Sequence, residues 1–130
     1  MVLTQTILDK VTSEASNSPR LRMNFNLHES LEDVVQRMFN ALEPGTIVPI
    51  ARHPNCSETL IMLRGKLRVL IYNDEKEIIE DVVIAPNTVN IGYHIPKGVW
   101  HQVESLEQGT VCFETREGPY EPVQEEDIMK

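Results

Sequence analysis

The chain has 130 residues, enough for one domain with a buried core. Hydrophobic residues make up 41% and charged residues 25%, as in ordinary globular proteins. The formal net charge of −8 argues against the cationic surface that nucleic-acid binding requires. No apolar run reaches the roughly 20 residues of a membrane span. We therefore expect neither a nucleic-acid nor a membrane partner.

The N-terminus and the cysteines bear on the compartment. The first 20 residues, "MVLTQTILDKVTSEASNSPR", lack the basic region followed by an apolar stretch that marks a signal peptide. The two cysteines, Cys56 and Cys112, are too few for a disulfide framework. The sequence thus predicts a cytoplasmic protein.

Two short helices and one strand are predicted before residue 43. Residues 4–15 form the first predicted helix, and "RLRMNFNLH" (20–28) alternates with the period of a strand. Apolar residues at i, i+3 and i+4 across 30–42 predict a second, amphipathic helix. Ser30 is placed to cap it, and Pro44 with Gly45 would end it.

The rest of the chain is divided by turn residues into seven short predicted strands. These strands are 46–52, 57–64, 66–72, 77–84, 88–95, 99–105 and 109–115. Their number and spacing indicate a mainly all-β fold, a sandwich or small barrel preceded by two helices. We expect one domain over 1–130: a helical segment (1–20), then strand, helix and barrel (21–117), then an acidic tail (118–130).

Two motifs carry the candidate chemistry. The stretch "ARHPNCSETLIMLRG" (51–65), with Gly45 before it, follows the pattern G-x5-A-x-H-x4-E-x6-G, and "IPKGVWHQV" (95–103) contains P-x-G-x-x-H. Together they resemble the two-part signature of the cupin superfamily, whose fold is a small jelly-roll barrel. The chain departs from that signature at three positions. Ala51 replaces a usual histidine, Ser105 a usual asparagine, and Asn90 a usual glycine.

A closer resemblance covers about residues 20–122. The segments "RMNFNLHES", "VQRMFNALEPGT", "ETLIMLRGKLRVL", "IPKGVWHQVESLEQGTVCFE" and "REGPYEP" are similar to WbuC-family cupins. That resemblance implies a cupin often encoded among polysaccharide biosynthesis genes, without a firmly established activity. Cupins commonly dimerise through the sheet, so a homodimer is expected.

The motifs predict a metal site at His53, Glu58 and His101. Ala51 and His53 are two apart on a predicted strand and share a face, and a turn brings Glu58 back beside His53. With His101 from another hairpin, they would form a 2-His-1-carboxylate triad suited to Fe, Mn, Ni or Zn. Two alternatives stay open: a metal-free small-molecule pocket and a purely structural role.

His94 is a possible additional ligand. If the strands flanking the "PKG" turn pair His94 with His101, the two imidazoles share a face. A register shifted by one residue would turn His94 away. The sequence leaves both registers open.

A row of polar side chains is the second candidate site. Arg22, Asn24, Asn26 and His28 share one face of the predicted strand 20–28. They either face solvent or line the barrel mouth and bind a polar ligand such as a sugar or carboxylate. The WbuC-like pattern favours the pocket and adds Arg37 as a candidate.

Three functions follow as hypotheses. The first is a metalloprotein acting on a small polar metabolite, a sugar or sugar derivative of polysaccharide biosynthesis. The second is a metal-free sugar epimerase or isomerase with His101 and Glu58 as candidate catalytic residues. The third is a non-catalytic ligand-binding module. All three take a small-molecule ligand, and whether the protein is an enzyme stays open.

Overall fold

The computed structural model describes residues 1–130 and contains one α-helix and eight strands. The helix α1 is Gln5–Ser16. The strands are β1 (Arg22–Asn26), β2 (Val35–Leu42), β3 (Glu58–Arg64), β4 (Leu67–Tyr72), β5 (Ile78–Ile84), β6 (Gly92–Ile95), β7 (Trp100–Ser105) and β8 (Thr110–Glu117). The predicted mainly-β fold is confirmed. No helix is long and apolar enough to cross a membrane.

The strands form two antiparallel sheets packed face to face. One has five strands in the order β1-β2-β8-β3-β6, and the other has three in the order β5-β4-β7. A cluster of buried apolar side chains from both sheets, including Leu60, Met62, Val69 and Ile84, fills the space between them. Because the chain crosses between the sheets after β3 and at every connection from β5 to β8, residues distant in sequence meet at the ends of this jelly roll.

Helix α1 covers the outer face of the larger sheet. The Thr4 side chain caps its N-terminus by accepting the Ile7 N–H. Leu8, Val11 and Ala15 recur at helical spacing and are buried. They pack on the apolar side chains Phe39, Ala41 and Val111 of β2 and β8. The larger sheet therefore has apolar residues on both faces.

The prediction of a second helix over residues 30–42 is wrong. Residues 35–42 form β2, which pairs with β1 and with β8. Both faces of β2 are covered, because Phe39 and Ala41 lie under α1 while Met38, Asn40 and Leu42 line the interior. Adjacent apolar residues on a strand buried on both sides imitate helical spacing. Ser30 accepts the Glu32 N–H in a turn instead of capping a helix.

The segment 46–52 differs from expectation, and the acidic C-terminal tail contains local structure. Residues 46–52 form no strand; Ala51 alone makes bridges, to His101 and to Ile128. Pro49 lacks the N–H that a continuous ladder would need there. The tail contains a 3₁₀ turn (Glu125–Asp127), and Asp127 of this turn is buried.

Candidate metal centre and ligand cavity

Three segments bring His53, Glu58 and His101 together at one end of the sandwich. His53 follows the irregular segment 46–52, Glu58 begins β3, and His101 is the second residue of β7. The Nε2 atoms of His53 and His101 lie 2.7 Å and 3.7 Å from the same oxygen, Glu58 Oε1. All three potential ligand atoms lie within 4.8 Å of one another.

The backbone sets the orientation of His101. Its Nδ1 lies 2.9 Å from the carbonyl oxygen of Val99, a contact that places the proton on Nδ1 and leaves the lone pair on Nε2. Burial lowers the pKa of His101 and outweighs the negative charge of Glu58. The neutral imidazole thus presents a free nitrogen to the centre.

Arg116 adds a cation beside this cluster. Its Nη2 lies 2.6 Å from Glu58 Oε1, and its Nε donates to Glu114 Oε2 at 3.1 Å. The other oxygen of Glu114 accepts a hydrogen bond from Asn40 at 2.9 Å. One guanidinium therefore contacts two buried carboxylates.

The pKa values of the Glu58 and Glu114 carboxylates shift in opposite directions. Burial acts to raise the pKa of Glu58, but the hydrogen bond from His53 and the positive charge of Arg116 lower it to about 2. Burial and the negative charge of Glu58 raise the pKa of Glu114 to about 7. The cluster thus holds one firmly ionised carboxylate and one that can exchange a proton near neutral pH.

These donors fit a divalent metal. Two imidazole nitrogens and one carboxylate form the 2-His-1-carboxylate set, and the Val99 carbonyl supplies the outer hydrogen bond typical of a metal-bound imidazole. Arg116 competes for Glu58 Oε1, yet a carboxylate has a second oxygen and about four lone-pair sites. Glu58 can therefore contact the Arg116 guanidinium and bind a metal ion at the same time.

A cavity of about 420 Å³ opens beside the three residues and runs between the sheets. The side chains of Arg22, Asn24, Asn26 and His28 line it, because the apolar face of β1 packs under α1 and the polar face borders the cavity, with Asn24 and Asn26 exposed. Arg37 does not line the cavity. It is exposed on β2, where period-two alternation places it on the opposite face from Gln36 and Met38.

His94 does not join the cluster. β6 pairs with β3, so His94 lies opposite Thr59 while Ile95 lies opposite Glu58. The exposed His94 ring contacts the Thr59 hydroxyl at 2.9 Å. Neither register considered from the sequence occurs, since β6 and β7 belong to different sheets.

Ala51 lies directly beside the cluster. It exchanges backbone hydrogen bonds with His101 in both directions, at 3.0 Å and 2.9 Å, and it lines the cavity. Directly opposed residues of an antiparallel pair project to the same face. The small side chain therefore leaves open space next to His101.

Sequence reasoning missed several residues around the cavity. Glu114 and Arg116 lie on β8 with inward parity, and the predicted strand 109–115 stopped before Arg116. The signal was the polar side of the alternation in "VCFETRE", because two charged residues two positions apart share a face. Asn40 and Gln36 were missed because residues 30–42 were read as a helix.

Two family models match the chain. One, described as a domain of unknown function (DUF6016), matches residues 3–84, and the FdtA model, described as WxcM-like, C-terminal, matches residues 46–127. Each covers more than half of the chain. No curated protein matches it.

Solved structures with the same fold are distant in sequence. KdgF from Halomonas sp. superposes with a TM-score of 0.62 at 11% identity, covering 81% of this chain and 85% of that one. Recombinant oxalate oxidase in complex with glycolate gives 0.56 at 18% identity, covering 78% and 52%. A structure concerned with the Mn(II) centres of Bacillus subtilis oxalate decarboxylase gives 0.59 at 17% identity, covering 84% and 27%.

The chain thus spans about half of the oxalate oxidase and about a quarter of the decarboxylase. At these identities the likeness shows the fold alone. The resemblance to WbuC-family cupins in particular stays a prediction. The chain belongs to the families described as DUF6016 and WxcM-like, C-terminal, and it has the fold of the cupin superfamily.

Proposed function

We propose that this protein binds a divalent transition metal through His53, Glu58 and His101 and holds a small polar metabolite in the adjoining cavity. The observation that carries the proposal is the convergence of these three side chains, from three separate segments, on one wall of a cavity with polar and apolar lining residues. Fe, Mn, Ni and Zn suit the donor set. The Mn(II) centres of the structurally similar oxalate decarboxylase make manganese one natural candidate.

Sugars and sugar derivatives are the metabolites that we propose. Amides, imidazole and guanidinium groups along β1 offer donors and acceptors, while Met38, Leu60 and Val103 offer apolar surface. Such a mixture suits the hydroxyls and the C–H faces of a sugar ring. The similarity to WbuC-family cupins supports a role in polysaccharide biosynthesis.

The residues around the centre have distinct roles in this proposal. A bound divalent metal would supply Lewis-acid polarisation of a ligand oxygen or lower the pKa of a water. Burial keeps His101 neutral, and its bond to Val99 orients the ring. The hydrogen bond from His53 and the charge of Arg116 keep Glu58 ionised. Glu114, with its pKa near 7, can accept or return a proton next to the cavity.

Metal content tests the proposal. Protein purified without chelator, and again after loading with Mn(II), Fe(II), Ni(II) or Zn(II), is analysed by inductively coupled plasma mass spectrometry. We expect about one ion per chain in the wild type and loss of that ion in His53→Ala and His101→Ala. His94→Ala is the matched control, because His94 is exposed and outside the cluster.

Two results would contradict it. One is a wild type that carries no stoichiometric metal after loading. The other is full metal content in His101→Ala. Anomalous diffraction at the metal edge would identify the ion and its ligands directly.

A metal-free site is the second candidate. The Arg116 guanidinium lies 2.6 Å from Glu58, where it already supplies a positive charge to the cluster. In that case His101 with Glu58 would act as a general base on a sugar, as in an epimerase or isomerase. Turnover of a panel of nucleotide sugars by chelator-treated protein, lost in His101→Ala, would favour this function over metal binding.

A homodimer is part of the proposal. Ile61 and Leu63 on the outer face of β3 are each 38% exposed, and Ile91 near β6 is 51% exposed. Burial of this apolar surface against a second copy would stabilise a dimer. Light scattering coupled to gel filtration gives the mass, and a monomer at micromolar concentration would contradict it.

A further inference from the structure

Two arginines in the cavity lining lack an acidic partner. Arg20 and Arg22 both line the cavity, and neither side chain has a carboxylate within 4.0 Å. Acidic residues outnumber basic ones by 20 to 12 in this chain. The arginines at 52, 64, 68 and 116 all form ion pairs. Arg37 is unpaired as well, but it is exposed outside the cavity, so Arg20 and Arg22 are the arginines of the lining whose charge is free for a ligand.

The guanidinium of Arg22 is held in place. Its Nη1 donates to the carbonyl oxygen of Ile47 at 2.9 Å, which is its one hydrogen bond to the protein. A guanidinium has five N–H donors, so most of those on Arg22 remain free. Partial burial and the nearby charge of Arg20 lower the pKa of Arg22, the direction that an adjacent anion would reverse.

The strand register separates this pair from the metal centre. Arg22 lies opposite Leu42, which lies opposite Thr110 of β8, whereas Glu58 lies opposite Arg116 of the same strand. From Thr110 to Arg116, β8 advances six residues, about 20 Å at roughly 3.3 Å per residue. The arginines and the three candidate ligands therefore line distant ends of one cavity.

Polar side chains of β1 and the residues after it line one side of the cavity between the two ends. Asn24 and Asn26 follow Arg22 along the inward face of β1, and His28 follows them. The Nδ1 atom of His28 lies 3.0 Å from the Arg37 carbonyl oxygen and 3.1 Å from the Arg37 nitrogen, which holds the ring against β2. These side chains offer polar partners to a ligand that extends between the two ends.

We propose that Arg20 and Arg22 form an anion-binding subsite for a carboxylate or phosphate carried by an elongated polar ligand. The other end of that ligand reaches the centre at His53, Glu58 and His101. The subsite stands on its own geometry, and only the chemistry at the far end rests on the proposed function. The substrate is thus an anionic sugar derivative longer than one sugar ring.

Binding of simple anions to the full-length protein as purified tests the subsite. Isothermal titration uses inorganic pyrophosphate for the phosphate arm, D-glucuronate for the carboxylate arm and D-glucose as the neutral control. We expect one of the two anions to bind and to lose affinity about tenfold or more in Arg20→Gln/Arg22→Gln. Binding should also weaken with added salt.

Arg37→Gln is the matched control, because it removes the same charge from the opposite face of the neighbouring strand. It should retain wild-type affinity. Arg20→Gln alone is the second variant, since this exposed side chain makes no hydrogen bond within the protein, and it should show a partial loss. Melting curves confirm that each variant is folded.

Unchanged anion affinity in the double variant would overturn the subsite, as would glucose binding as tightly as both anions. If a metal at His53, Glu58 and His101 held the pyrophosphate instead, the double variant would also keep its anion affinity. Metal analysis of the same variants separates the two proposals. Loss of anion binding with metal retained supports the subsite, and a wild type without metal that still binds anions through the arginines contradicts only the metal proposal.

Discussion

Ala51 decides how many ligands the proposed metal centre has. It faces His101 across a hydrogen-bonded bridge, at a position where a longer side chain would project into the same space. In the cupin signature that this chain resembles, a histidine normally stands there. The open space is thus available to water or to the ligand.

We expect Ala51→His to tighten metal binding. A third imidazole beside His101 would add a neutral nitrogen donor to the set, raising affinity by about tenfold or more, or about 1.4 kcal/mol. Competition with a metal-sensitive dye measures the change. Ala51→Leu has similar bulk without a donor, and an equal gain in that variant would contradict the explanation.

Glu114 should make the stability of the metal-free protein depend on pH. Its pKa is about 7 in the folded protein and near the ordinary 4.5 in the unfolded chain, so the folded state binds more protons between these values. The free energy of unfolding should therefore fall as the pH rises from about 4.5 to about 7. Urea titrations at several pH values measure this slope.

The matched variants isolate the carboxyl responsible. Glu114→Gln cannot ionise, so its free energy of unfolding should lack this decline. Glu107→Gln, at an exposed position without an ion pair, should keep it. A decline of equal size in both variants would assign the effect to other groups.

At the scale of elements, β2 contacts helix α1 with one face and the cavity with the other. Phe39 is 4% exposed and lies under α1. Its ring stacks with Phe25 at 6.3 Å between centroids and contacts Phe113 edge-on at 6.1 Å. Its neighbours Met38 and Asn40 face the cavity. The same strand thus anchors the helix and shapes the ligand site.

Phe39→Ala should lower the free energy of unfolding by about 3–5 kcal/mol, because it removes a buried ring and leaves a cavity. Urea denaturation followed by circular dichroism measures it. Arg37→Ala, two residues away and exposed, should change stability by about 0.5 kcal/mol or less. Similar losses in the two variants would contradict the burial argument.

For the molecule as a whole, the C-terminal tail closes over the segment that carries Ala51 and His53. Arg52 makes two hydrogen bonds to Asp127 of the tail. Its backbone N–H donates to the Asp127 carbonyl oxygen at 3.0 Å, and its Nε donates to the Asp127 carboxylate at 2.8 Å. The Met129 N–H donates to Ile50 at 2.8 Å. Segment 46–52 has little sheet pairing of its own, so the tail supports the site from outside.

Asp127→Ala should therefore weaken both fold and metal site. We expect a loss of about 1–3 kcal/mol in the free energy of unfolding, typical of a charged hydrogen bond removed from a buried position. Metal affinity should fall as well, because His53 follows the released segment. Glu126→Ala removes the same charge from an exposed neighbour and should leave both quantities near the wild-type values.

The sequence by itself determined the mainly-β fold, helix α1 and the two motifs around His53, Glu58 and His101. Those features are local, since turn residues, alternation and residue spacing can be read without knowing what lies nearby. The polar face of β1 was visible for the same reason.

Only the tertiary structure decided which strands became neighbours and which side chains met at the site. Long-range pairing made β2 a strand, because its two faces are covered by layers distant in sequence. The pairing of β6 with β3 turned His94 outward, and β8 carried Glu114 and Arg116 to Glu58 across more than 50 residues. Such contacts depend on which strands become neighbours, and this choice is set by packing of the whole chain.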